Sequence, residues 1–202
     1  MTTTAAGEAK AWDLLAASDP AGVCARAGVD IVPAGGGYRV PAFGRLFCVD
    51  PEGRRILGLE AKAEDFLQRH DSLFRLSVLW YLVRAAPARP SGNLVKPAGL
   101  PGGEIFFKGS HVLPLDALAA KYATRPEAFL AAGAALGGIP AAYGDAAVIL
   151  SPLPKVPTTV LLWTADDEFP ARADLLFDAT CSQHLPLDIL WSVAMLSILP
   201  LL

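Results

Sequence analysis

Residues 64–86 limit what this chain can fold into more than any other stretch. Phe66, Leu67, Leu73, Phe74, Leu76, Val78, Leu79, Leu82 and Val83 recur near a 3.6-residue period, and Trp80 and Tyr81 widen the apolar face. The spacing predicts one long helix. A helix this apolar must be covered on most sides, so the remaining chain has to wrap it. The 202 residues are 53% apolar and only 18% charged. That is enough for a well-filled core, and it excludes disorder along the whole chain.

The 18 glycines and 17 prolines cut the rest into short segments. Residues 1–9 read as a frayed tail, and 10–17 and 20–27 as two short helices. Asp19 offers a capping oxygen before Pro20, and Gly28 stops the second helix. Then Ile31-Val32, Tyr38-Arg39-Val40 and Leu46-Phe47-Cys48-Val49 are separated by Gly35-Gly36-Gly37, Gly44 and Pro51-Glu52-Gly53. This texture predicts an antiparallel meander, with one more strand over 54–57. Residues 87–103 read as a long Pro/Gly loop, a kind that is often functional, and 104–108 as a short strand. Helices are expected over 114–122 and, from a Thr124-Arg125-Pro126-Glu127 capping box, to Leu136. Residues 146–153 and 158–164 form a hairpin around Pro154-Lys155-Val156-Pro157, with another strand over 174–178. Leu-Pro-Leu-Asp occurs at 113–116 and again at 185–188, which is one helix start used twice. The order helices, strands, helix, loop, helices, strands, helix implies a single α+β domain over 10–202. Its antiparallel sheet, an N-terminal meander and a C-terminal hairpin, packs against several helices.

A net charge of −3 argues against electrostatic nucleic-acid binding. Cys24, Cys48 and Cys181 lack metal-ligand spacing, and one must stay unpaired, which suits a reducing, cytoplasmic setting. Residues 1–10 have no apolar signal core. The apolar run 189–202 has fourteen residues, short of the roughly twenty a spanning helix needs, so it reads as a buried helix. Its final leucines either dock on the core or are covered by a protein partner or a second copy.

Leu100-Pro101-Gly102-Gly103, Leu136-Gly137-Gly138, Gly144-Asp145-Ala146-Ala147, Leu153-Pro154-Lys155-Val156-Pro157, Trp163-Thr164-Ala165-Asp166-Asp167-Glu168-Phe169-Pro170 and Leu176-Phe177-Asp178 follow one another in a specific order. In that order the chain resembles, from about Trp12 to Leu199, the bacterial and archaeal family catalogued as domain of unknown function 3786. Relatives often carry Glu-Asp after the last Leu-Pro; here the pair is Leu187-Asp188. The resemblance implies an anaerobic setting. Some members look like fusions to a four-cysteine iron–sulfur segment of the corrinoid-protein type, and that segment is absent from this sequence. Corrinoid chemistry is therefore implied only by context.

Three constellations are candidates for chemistry. Asp166-Asp167-Glu168 is the densest acidic cluster, beside Trp163; it could bind a hard cation, but a solvated hairpin end anchored by Phe169 is the preferred reading. Cys181 and His184 are three residues apart, a spacing that suits a Cys–His pair or part of a metal site, but a structural cysteine and a helix-entry histidine are the preferred reading. Lys108-Gly109-Ser110-His111 precedes a helix and could hold an anion. Lys108, His111, Trp163, Asp166, Glu168 and His184 are the expected ligand-binding residues. The leading expectation is a small-ligand binding or accessory protein. Its ligand would be a corrinoid or haem with His111 or His184 as axial ligand. A metal-assisted enzyme using Asp166, Glu168, His111 or His184 is the second expectation. An interaction module docking through the C-terminal helix is the third.

Overall fold

The computed structural model describes residues 3–32, 36–108 and 111–202, with side chains from residue 6 onward. Two helices, α1 (Thr3–Ala16) and α2 (Pro20–Ala27), lead into β1 (Asp30–Ile31), β2 (Tyr38–Ala42), β3 (Arg45–Asp50) and β4 (Arg55–Gly58). The four strands form an antiparallel meander in sequence order. Asp19 caps α2 by accepting from the Gly22 amide at 2.8 Å, and Gly28 ends it in the left-handed region at φ 67°. The segment expected as a frayed tail is instead helical from Thr3: Ala11, Trp12 and Leu15 bury one side of α1, which packs on the long helix. Part of the expected Gly35–Gly37 turn lies outside the described residues, although Ile31 pairs with Tyr38 across it.

That long helix is α3 (Ala61–Arg84), with a bend at His70. Its aromatic face meets the meander: Phe66 lies 5.1 Å from Phe43, and Phe74 lies 4.3 Å from Phe47 between ring centroids. These rings are buried, and burying a ring of this size stabilises by roughly 1.5–3 kcal/mol. The stretch after α3 is not a structureless loop. It contains β5 (Leu94–Val95) and a 3₁₀ turn over Pro97–Gly99. The Asp178 carboxylate accepts from the Ser91 and Gly92 amides, and Lys96 reaches Asp174 at 2.9 Å. Residues expected as a strand at 104–108 begin as the one-turn helix α4 (Gly103–Phe106). A strand there would have needed a neighbour, and α4 instead packs on the 3₁₀ turn.

The second half adds α5 (Leu115–Tyr122), α6 (Pro126–Ala135), β6 (Ile139–Ala141), β7 (Ala146–Leu153), β8 (Val156–Trp163), β9 (Arg172–Asp178), α7 (Cys181–His184) and α8 (Leu187–Ile198). The Thr124 capping box does not form: α6 starts after Arg125, with Pro126 at its first position and no side-chain cap. Both Leu-Pro-Leu-Asp repeats start helices, each with proline at the cap and aspartate in the first turn. The strands form an antiparallel five-stranded sheet in the order β5-β9-β8-β7-β6. On one face, Val148, Val160 and Leu175 align across three strands and are fully buried. α8 packs here, with Ser197 and Thr158 sharing a buried 2.9 Å hydrogen bond, and its other side meets α3. The apolar C-terminal helix is thus core. Leu201 is buried, and the Tyr122 hydroxyl donates to its carbonyl at 2.7 Å.

The two sheets meet where the β2–β3 turn touches the end of α6. Phe43 donates its amide to the Ser151 carbonyl at 2.8 Å. Gly44 (φ 67°) and Gly137 (φ 70°) lie backbone to backbone, so a Cβ on Gly137 would fall 2.6 Å from the Gly44 Cα. Both the dihedral and the contact require glycine. Gly137→Ala should therefore lower stability by about 2 kcal/mol or more, read as a lower urea midpoint with the slope retained.

Candidate functional site

The six expected ligand-binding residues occupy three separate places. Trp163 and Asp166 line a cleft of about 580 Å³ at the end of the five-stranded sheet, with Asp145, Phe169 and Arg172. Arg172 stacks its guanidinium 4.0 Å from the Trp163 ring centroid. The acidic run does not converge there. Asp166 uses its carboxylate to accept from the Glu168 and Phe169 amides, closing an exposed turn. Asp145 is likewise committed to the Thr164 amide and hydroxyl, and these bonds hold its carboxyl below the usual range. Glu168 is exposed on the same turn.

His184 is fully buried. Its Nδ1 accepts from the Ala86 amide at 3.1 Å, which leaves the proton of the neutral ring on Nε2. Burial, with Lys155 adding to it, pushes its pKa down. Burial also pushes the Cys181 thiol up, to about 12. A reactive Cys–His pair needs the opposite: a thiolate beside an imidazolium. These two side chains are neutral core groups on one turn of helix. His184 lines neither of the two larger clefts, so a bulky cofactor cannot reach it without opening the core.

Around His184 lies a polar knot. The Lys155 ammonium, at the β7–β8 turn, donates to the Arg26 carbonyl at 2.6 Å and the Ala86 carbonyl at 3.1 Å. Tyr81 donates to the Ala27 carbonyl at 2.6 Å, and Arg26 to the Leu82 carbonyl at 2.8 Å. Carbonyls at the C-terminal ends of α2 and α3 are thus met by cations, as the helix dipole favours. Nearby, Asp178 is pushed up by burial. The hydroxyl and amide of Thr180 and the amides of Ser91 and Gly92 outweigh that and hold it at about 2.

His111 belongs to the third place, a cleft of about 560 Å³. Its walls come from Leu76, Trp80 and Arg84, one stripe of α3 at i, i+4 and i+8, and from Asp188, Ile189, Trp191 and Ser192 of α8. Phe106 of α4 completes it. His111 stacks on Phe106 at 4.1 Å and meets Trp191 edge-to-face at 5.4 Å. The Trp191 indole nitrogen is buried without a hydrogen-bond partner among the described residues. Ile105 and Val112, on either side of this segment in sequence, are 84% and 62% exposed. Lys108 points away into solvent, paired with Glu104 at 3.3 Å. Gly109 and Ser110, the centre of the expected anion loop, lie outside the described residues. Trp80, Arg84, Phe106 and Trp191 were not legible as site residues. The tryptophans read as core filling and Phe106 as a strand residue. The signal that was present is the Leu76, Trp80, Arg84 stripe.

Among the described residues, no three His, Cys, Asp or Glu side chains gather as a metal site requires. No helix among them is long and apolar enough to cross a membrane. The sequence model of the family described as Domain of unknown function (DUF3786) matches residues 19–199. The chain belongs to that family. No curated protein and no solved structure matches it. The Leu153–Pro157 element of this DUF3786 chain has a clear structural use: it places Lys155 at the ends of α2 and α3.

Two predictions follow from the knot. Lys155→Met should cost about 2 kcal/mol by leaving carbonyls without their donor, measured by urea unfolding. The depressed pKa of His184 means that, below about pH 6.5, the unfolded chain takes up a proton that the folded chain refuses. Stability should fall as the pH drops from 7 towards 5. His70, depressed by its own burial, adds the same sign. The slope of unfolding free energy against pH should become shallower in His184→Asn, whose amide oxygen can replace Nδ1 as acceptor.

Proposed function

We propose that this protein binds a small ligand with a flat conjugated body, seated in the cleft between α3, α4 and α8. The observation that supports this reading is the set of aromatic walls, Trp80, Phe106, His111 and Trp191, around about 560 Å³ of space. Small-ligand sites commonly combine such a volume with apolar walls and a few polar groups. His111 is the imidazole on this cleft, and a tetrapyrrole, haem or corrinoid, is the ligand class it fits by chemistry. In that case His111 would hold the central metal, whose redox or ligand-exchange chemistry is the cofactor's own. The protein would orient the macrocycle between its tryptophans. The buried setting of His184 supports no such role. An accessory role in anaerobic metabolism is consistent with the family setting.

The test is an absorbance titration of purified protein with haem and with cobalamin. A shifted spectrum is expected at micromolar protein for at least one of them, lost in His111→Ala and kept in Glu168→Gln at the sheet end. Unchanged spectra with both would overturn the tetrapyrrole reading.

A further inference from the structure

Two side chains of opposite charge line the aromatic cleft. The His184–Ala86 hydrogen bond holds the C-terminal end of α3 beside the entry to α8. Arg84 from the last turn of α3 and Asp188 from the first turn of α8 therefore line the same end of the cleft. The two side chains do not form a salt bridge, and neither has a side-chain partner among the described residues. Asp188 has a structural reason for its place, since a carboxylate in the first turn suits the helix dipole. Arg84 also suits the dipole at its own helix end. Arg84 is exposed at the cleft beside Trp80, so its guanidinium, with five donors in a fixed fork, is open to an acceptor on a molecule that enters there.

Resting on the small-ligand reading above, we infer that the ligand carries a carboxylate on its conjugated body and that Arg84 binds it. The flat body lies against Trp80 and Trp191, and the guanidinium pairs with the carboxylate at the charged end. Both haem, through its propionates, and a simple aromatic acid have this chemistry. Asp188, facing the same end, opposes a second negative charge there.

Two matched probe pairs test this. Haem is compared with its dimethyl ester by absorbance, and indole-3-propionate with indole-3-propionamide by calorimetry. The acid of at least one pair should bind roughly tenfold more tightly than its neutral partner, the scale of a charge-assisted hydrogen bond. Arg84→Gln should remove that preference without changing the affinity for the neutral probe. Asp188→Asn should increase it. A preference in haem alone identifies a tetrapyrrole acid, and a preference in the indole pair alone identifies a small aromatic acid. Equal binding of acid and neutral probe in both pairs, or a preference that survives Arg84→Gln, overturns the role of Arg84 and leaves the cleft reading standing. If no probe binds, the cleft reading itself fails and this inference fails with it.

Discussion

The ammonium of Lys155 sits where three separate pieces of chain end. α2 and α3 both terminate against it, and the turn between β7 and β8 delivers it. A lysine brought this far inside loses hydration, and its pKa is lowered by that burial. The cost is offset because its acceptors are the Arg26 carbonyl in the last turn of α2, which has no intrahelical partner, and the Ala86 carbonyl just past α3. This contact ties the first half of the chain to the second. It also fixes the position of α3 relative to α8, through the Ala86 segment that His184 grips. The aromatic cleft is a product of that arrangement, since its two long walls are α3 and α8.

The meander contributes differently. It covers the aromatic side of α3 with Phe43 and Phe47, leaving other sides for α1 and α8. Coverage by two sheets requires a junction, and the paired glycines at 44 and 137 provide the close approach that no side chain would allow. The long Pro/Gly stretch adds to the core mainly through Leu100, with Val95 packed against it. It supplies the edge strand β5 beside β9, is held by Asp178 and Lys96, and leads to α4 and the cleft.

Much of this architecture was legible in the sequence. The periodic apolar face of α3, the alternation in β2 and β3, and the Asp19-Pro20 and Gly28 signals each carry their own physical instruction. The places that misread are those decided by distant partners. Phe106 has strand-like neighbours, but Phe107 donates its amide to the Gly103 carbonyl within the α4 turn, and its preference yields to packing. The first residues looked unanchored because the covering side of α3 is sixty residues away. The cleft was hidden for the same reason. Trp80 and Trp191 each look like ordinary core residues, and only the crossing of their helices makes them two walls of one space. His184 was legible as a structural residue at a helix entry, but not its partner, because nothing local says that Ala86 will donate to it.

The separation between Lys155 and its acceptors has a consequence for how the chain is made. Arg26 precedes Lys155 by 129 residues. On the ribosome, the Arg26 carbonyl emerges long before the amine that will meet it. Through most of synthesis it must be served by water. That acceptor of α2 is therefore met only once the turn between β7 and β8 has been made.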